Sequence, residues 1–180
     1  METIECIKKR RSTRKFIDKE VFDEIIEKLI DAARHAPFGG PPIKDCQLWE
    51  FIIVRDKEIK EKLALNFEDR EFMKQAPVII VVCADRNKDP KYKNWDISAA
   101  LAVENILLSA HDLGLGACYV DTFNHHDGHK EDRQKLIDVL ELPNHIELIS
   151  TIPLGYPDDS EEKEKKELRD IDKLIHLNKY

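Results

Sequence analysis

Long apolar runs and paired cysteines are both missing from this sequence, and each absence excludes a class of protein. No stretch approaches the roughly 20 consecutive apolar residues that a membrane-spanning helix needs. Residues 1–6 lack the basic-then-apolar order of a signal peptide. The four cysteines stand singly, without the spacing of a zinc site or the density of a disulfide scaffold. We therefore expect a cytoplasmic protein with reduced, mostly buried cysteines and no membrane partner.

Basic residues are also fewer than acidic residues in this sequence. The chain has 29 Lys and Arg against 36 Asp and Glu, for a net charge of -7. An acidic surface disfavours attraction to nucleic acid or anionic lipid. The length of 180 residues suits one domain, and no repeat, linker or change of composition divides it. We therefore predict a single domain over residues 1–180 that does not bind nucleic acid.

The spacing of apolar residues predicts alternating helices and strands. Helices are expected over residues 21–36, 57–65, 96–113 and 131–140, and strands over residues 49–54, 77–84, 117–122 and 146–154. This alternation predicts an α/β or α+β sheet flanked by helices.

Two of these segments are almost wholly apolar. Residues 77–84 form a continuous, mostly β-branched run, the pattern of a central strand covered on both faces. The helix over residues 96–113 is rich in Ala, Leu and Ile, and Glu104 stands alone among its apolar residues. Such a helix has more apolar surface than a monomer of this size easily covers. We therefore expect it at a subunit interface, and a homodimer is the simplest arrangement.

A dense basic cluster, residues 8–16, precedes the first predicted helix. The arginine guanidinium suits bidentate contact with a phosphate, and Ser12 can add a hydrogen bond. The cluster therefore favours an anion site. Its composition is equally typical of a solvated charge run, so the residues alone leave both interpretations open.

Ordered motifs along the chain resemble those of the nitroreductase family. Residues 10–16 match the family's Arg-Arg-Ser-x-Arg-x-Phe opening, and residues 152–157 match its Ile-Pro-x-Gly-Tyr-Pro signature. Further matches are an Ala-Ala-Arg-x-Ala-Pro turn, a Gln-Pro-Trp-Glu-Phe strand entry, and a central helix with a glycine exit, at residues 32–37, 47–51 and 96–116. Their shared order makes the resemblance stronger than any single motif.

The resemblance implies a fold and an activity. The family fold is α+β, with a mixed, mainly antiparallel sheet flanked by helices, in an intertwined homodimer whose two FMN sites use both subunits. The implied reaction passes a hydride from NADH or NADPH through flavin N5 to a small electron-poor acceptor, such as a nitro compound or a quinone. Two alternatives stay open: a flavin-binding or interaction module with little turnover, and a divergent flavin enzyme such as a dehalogenase or dehydrogenase.

The resemblance also implies which side chains hold the FMN phosphate, ribityl chain and ring edge. Arg10, Ser12 and Arg14 would lie there, with Arg11 in the same segment. A basic residue of the C-terminal tail, Arg169 or as an alternative Lys166, would complete the phosphate clamp. No catalytic nucleophile is expected, because the hydride moves directly to and from the cofactor.

Two further segments are implied to line the flavin, and two departures from the family pattern accompany them. The turn Pro37-Phe38-Gly39 would lie against the isoalloxazine, and Pro153-Leu154-Gly155 would approach it with backbone groups. Residues 38–46 replace the usual Ser-x-x-Asn, and Asp121 replaces a glycine. A carboxylate near the flavin would lower its reduction potential.

Other reactive side chains have less specific patterns. Asn124-His125-His126-Asp127-Gly128-His129 could suggest a metal site, but ligands packed this closely rarely complete one tetrahedron. We interpret it as a polar surface loop and expect no metal. Cys83 and Cys118 lie in apolar strands, where buried, inert thiols are expected.

Overall fold

A computed structural model describes residues 1–41, 46–64, 70–88, 94–122, 130–162 and 166–180. Within them, the helices are Thr3–Lys9 (α1), Asp23–Ala33 (α2), Lys57–Ala64 (α3), Phe72–Gln75 (α4), Trp95–Asp112 (α5) and Lys130–Val139 (α6). The strands are Trp49–Val54 (β1), Val78–Asp85 (β2), Gly116–Ala117 (β3), Val120–Asp121 (β4) and Ile146–Gly155 (β5). Short 3-10 turns lie at Arg86–Lys88 and Ile171–Lys173.

The strands form one sheet in the order β1-β2-β5-β3, and β4 also pairs with β5. Each of these strand pairs is antiparallel, and an isolated parallel bridge joins Ser12 to Ala117. This arrangement confirms the α+β class and the mainly antiparallel sheet.

Helices cover both faces of the sheet, and alternate residues of β2 divide between two cores. One face packs against α2 and α5, through side chains such as Leu29 and Ile106. The other packs against α3 and α6, through Leu63 and Leu136. All eight residues of β2 are buried, which confirms the prediction of a covered central strand.

The predicted strand over residues 117–122 is interrupted in the structure. β3 and β4 pair with β5 in the same register, but Cys118 and Tyr119 between them are not assigned to a strand. The Cys118 N–H still donates to the Pro153 carbonyl at 3.2 Å. The prediction of extended chain over these residues was therefore correct at both ends of the segment but missed the irregularity between them.

Two helices were not predicted, and the ends of others differ. α1 was missed because the basic residues that follow it dominated the pattern, and α4 has only four residues. α2 ends at Ala33 instead of residue 36, in a turn ahead of Pro37, because the residue before a proline avoids helical geometry. α5 ends near Gly114, whose φ of 76° is readily adopted by glycine.

Candidate functional site

The basic segment begins where α1 ends. Arg10 is the residue after the helix, and its N–H donates to the Cys6 carbonyl. The Arg11 guanidinium donates to the carbonyls of Lys8 and Arg10 at 2.8 and 2.7 Å. Arg11 thus satisfies carbonyls at the end of α1 and fixes the direction in which the segment leaves the helix.

The next residues of the segment lie against β3. Ser12 forms a parallel bridge with Ala117, and the Thr13 N–H donates to the Ala117 carbonyl at 3.0 Å. Thr13 is buried, and a Cβ on Gly116 would lie 2.5 Å from its Cγ2 atom. Only glycine at position 116 lets the segment approach the sheet this closely.

This placement brings the basic segment beside the end of β5. Gly116 and Ala117 pair with Gly155 and Leu154. Farther along, Phe16 bridges to Pro157. Two of the segments predicted to hold FMN, residues 10–14 and 153–155, are therefore neighbours in the fold.

The pKa of the Cys118 thiol responds to several side chains of the basic segment. Burial raises the pKa of this thiol, while Arg14, a hydrogen bond from Ser12, and Arg10 act to lower it. Glu161 acts in the opposite direction. Three residues predicted to hold the FMN phosphate, ribityl chain and ring edge therefore all act on one buried thiol, which itself is unsuited to act as a nucleophile. Burial likewise raises the pKa of Cys83 to about 12.

Arg10 provides a test of whether this region fits an anion. Its Nε atom is buried and has no hydrogen-bond partner among the described residues. A buried donor left without an acceptor costs about 1–3 kcal/mol, so such a group indicates a missing partner. A phosphate beside Arg10 and Ser12 would supply acceptor oxygens of the required charge, and the residues therefore fit the phosphate end of FMN.

Arg14 is held by two contacts that the sequence did not predict. Its guanidinium lies 5.9 Å from the centre of the Phe72 ring, and its backbone N–H donates to Glu161 Oε1 at 2.7 Å. Both partners line an open groove of about 830 Å³. The groove is also lined by Arg14, Lys15, Phe16, Glu71, Gln75, Asp158, Ser160 and Glu162. Glu161 follows the Gly-Tyr-Pro signature closely, a signal that could have located it, whereas nothing in the sequence indicated Phe72.

The turn Pro37-Phe38-Gly39 is held at the first turn of α5. The Phe38 ring packs edge-on against Trp49, with ring centres 5.3 Å apart. The Gly39 N–H donates to Ser98 Oγ at 3.2 Å, and Trp49 Nε1 donates to the Ser98 carbonyl at 3.0 Å. Ser98 was not predicted as a site residue, yet it fixes the position of this turn.

Within one chain, the turn at residues 37–39 and the basic segment lie near opposite ends of α5. Ser98 is at the start of α5, whereas β3 follows its end, and 14 residues of helix span about 21 Å. The sheet shows the same separation. Trp49, which contacts the turn, pairs with Ala84 near one end of β2, whereas Pro153 pairs with Ile79 near the other end. One chain therefore does not bring all the predicted flavin-lining segments together.

Two further residues singled out in the sequence, Arg169 and Asp121, are exposed. Arg169 is exposed in the tail, and no hydrogen bond or ion pair ties it to the described residues. Asp121 is exposed on β4, opposite Ser150, about 13 Å along β5 from Leu154. Burial raises the pKa of Tyr119, and Asp121 adds to this rise through its charge and a hydrogen bond.

The loop Asn124–His129 lies outside the described residues. In the described part of the chain, no three His, Cys, Asp or Glu side chains are grouped to hold a metal ion. No helix among the described residues has the length and apolar character needed to cross a membrane.

The structure is an α+β fold in which the segment that carries Arg10, Ser12 and Arg14 lies at one end of the sheet. The pattern of the nitroreductase family matches residues 7–70 and 64–156. A Methanothermobacter thermautotrophicus protein, named for a proposed NADH dehydrogenase/NAD(P)H nitroreductase activity, is 40% identical over 181 residues, covering 100% of this chain and 88% of its own. This chain therefore belongs to the nitroreductase family.

Solved structures are similar over nearly the whole chain. An FMN-dependent nitroreductase from Clostridium difficile R20291 is 35% identical with a TM-score of 0.79, covering 98% of this chain and 99% of its own. A proposed nitroreductase from Desulfovibrio desulfuricans, solved in complex with FMN, is 26% identical with a TM-score of 0.81, covering 100% of this chain and 98% of its own.

Proposed function

We propose that this protein is an FMN-dependent oxidoreductase that takes a hydride from NADH or NADPH and delivers it to a small electron-poor acceptor. The observation that carries the proposal is the grouping of Arg10, Ser12 and Arg14 beside residues 153–155, with a buried Arg10 donor that lacks an acceptor. The FMN bound by the Desulfovibrio desulfuricans relative supports the choice of cofactor.

The side chains of this region would bind and orient the cofactor. Arg10 and Ser12 would hold the phosphate, and Arg14, positioned by Phe72, would place positive charge at the ring edge. Arg11 keeps the segment in place through its two backbone acceptors. FMN, when bound, supplies the hydride-accepting N5 atom and the redox chemistry. Positive charge near the ring favours the reduced, anionic state of such a group.

Backbone and tail groups would complete the site. Residues 153–155 lie beside the basic segment and would approach the flavin through main-chain groups. Gly155 is also needed for packing, since a Cβ there would lie 2.5 Å from Pro77 Cδ. Arg169 would reach the phosphate from the tail. Residues 1–180 would form one domain.

We further propose that the site is shared by two copies of the chain. The turn Pro37-Phe38-Gly39 is about 20 Å from the basic segment within one chain, so a second copy would have to supply it. Apolar side chains are exposed where such a copy could pack, on α1, on α5 and in the tail. They are Ile4, Ile7, Ile97, Leu101, Leu168, Ile171, Leu174, Ile175, Leu177 and Tyr180.

The first test is an absorbance spectrum of the purified protein after FMN addition and gel filtration, followed by anaerobic NADH or NADPH. We expect retained flavin absorbance that bleaches with at least one nucleotide. The acceptor is then tested with a nitroaromatic and a quinone, which should reoxidise the flavin. Retained flavin that neither nucleotide bleaches would contradict the redox function and leave a binding module.

A shared site predicts complementation between two defective chains. Arg10→Ala removes the proposed phosphate ligand, and Gly39→Val crowds the turn, where even an added Cβ would lie 3.1 Å from Asn94 Nδ2. At an FMN concentration that saturates only the native protein, each variant alone should retain little flavin. Co-expressed, doubly tagged hybrids should retain one FMN per two chains, because one of their two sites is intact. Hybrids without flavin would place each site within one chain.

A further inference from the structure

The chain that follows β5 folds an acidic side chain onto the basic segment. The Asp158 N–H donates to the Lys15 carbonyl at 3.1 Å, and the Glu161 N–H donates to the Asp158 carbonyl at 3.0 Å. These bonds form a turn that presents Glu161 to Arg14, whose N–H donates to Glu161 Oε1 at 2.7 Å. The contact links residues 147 positions apart in the sequence, so the fold itself places this carboxylate.

One hydrogen bond does not satisfy the Glu161 carboxylate. Its Oε2 atom is buried without a hydrogen-bond partner among the described residues, as is the Nε atom of Arg10. The bond from the Arg14 N–H holds this carboxylate on the same short segment that carries Arg10 and Ser12. A carboxylate and an incoming phosphate would therefore compete for the same positive region.

The carboxylates of the neighbouring acidic residues make other contacts or are exposed. The Asp158 carboxylate accepts the Ser160 N–H at 2.8 Å, and this bond lowers the pKa of Asp158. Glu71 pairs with Lys74 at 2.7 Å, and Glu162 is exposed. Among the described acidic residues of the groove, Glu161 is the one whose carboxylate bonds the backbone of the basic segment.

We propose that Glu161 competes with the cofactor phosphate for the basic segment and thereby sets how strongly the site prefers FMN to riboflavin. This inference rests on the proposed FMN function. A phosphate monoester carries roughly -1.5 to -2 charge at pH 7, so the Glu161 carboxylate repels it while offsetting the charges of Arg10 and Arg14. Riboflavin has the same ring and ribityl chain without the phosphate, and it lacks this repulsion.

The test compares dissociation constants for FMN and riboflavin, measured by quenching of flavin fluorescence at low ionic strength. Glu161→Gln keeps the size of the side chain and removes its charge, and Glu162→Gln is the matched control one residue away. We expect Glu161→Gln to tighten FMN binding about tenfold, the size of one charge-assisted contact. Riboflavin binding in that variant, and both flavins in Glu162→Gln, should change less than about twofold. Equal tightening of both flavins, no change, or the same gain in Glu162→Gln would overturn the proposal.

Inorganic phosphate separates this inference from the cofactor assignment. If neither the native protein nor Glu161→Gln binds any flavin, the proposed function fails. Thermal unfolding with and without phosphate then decides the role of Glu161. A larger phosphate-induced rise in Tm for Glu161→Gln than for the native protein would support competition for the anion site, and equal rises would overturn it.

Discussion

Replacing Arg10 with alanine is expected to weaken FMN binding by about 1.5–3 kcal/mol, roughly 10- to 150-fold. The reason is that Arg10 carries a buried Nε donor with no acceptor among the described residues, in the place where a phosphate would supply one. Equilibrium titration of flavin fluorescence measures the change.

Lys9→Ala is the matched control for this loss of charge. Lys9 is adjacent in sequence, but it is exposed and pairs with Glu5 along α1. Surface ion pairs of this kind contribute little, so we expect FMN affinity to stay within about twofold of the native value. Equal losses in both variants would mean that the segment acts only through net charge. An unchanged affinity in Arg10→Ala would remove Arg10 from the site.

Replacing Gly116 with alanine is expected to lower the free energy of unfolding by about 1–3 kcal/mol, the usual cost of overpacking. The added Cβ would lie 2.5 Å from Cγ2 and 2.7 Å from Cβ of Thr13, a side chain that is 1% exposed and cannot move outward freely. Because Thr13 lies between Ser12 and Arg14, its displacement should also weaken FMN binding. Urea unfolding and the same fluorescence titration measure the two effects.

A double-mutant cycle separates the clash from other effects of Gly116→Ala. Thr13→Gly removes the atoms that the new Cβ would meet. In that background, Gly116→Ala should cost less than it does in the native protein, by an interaction energy of about 0.5–3 kcal/mol. Additive losses would show that the contact between positions 13 and 116 is not the cause.

Apolar periodicity was sufficient to predict most of the fold. β2 and α5 carry long apolar runs, and packing on both sides of the sheet reinforces what their residues favour locally. α1 has seven residues, and its stability depends on packing Cys6 against α5, a tertiary contact that no local pattern reveals.

Only part of the candidate site could be predicted from the sequence, because some of its contacts join segments that are distant along the chain. The motif at residues 10–14 predicted an anion site, because arginine and serine are residue types that bind phosphate. The sequence did not reveal Phe72 or Glu161, whose contacts with Arg14 depend on how distant segments meet. It also did not reveal that the turn at Phe38 is held by Ser98, at the far end of α5.

The length of α5 has a consequence for how the protein would behave on dilution. In the proposed shared site, α5 would separate the two halves by about 20 Å, and cofactor retention would be a property of the pair of chains. Flavin that contacts both copies would hold them together, and separation of the copies would release it, because binding and association share one thermodynamic cycle. The apparent affinity for flavin would then increase with the concentration of the protein itself.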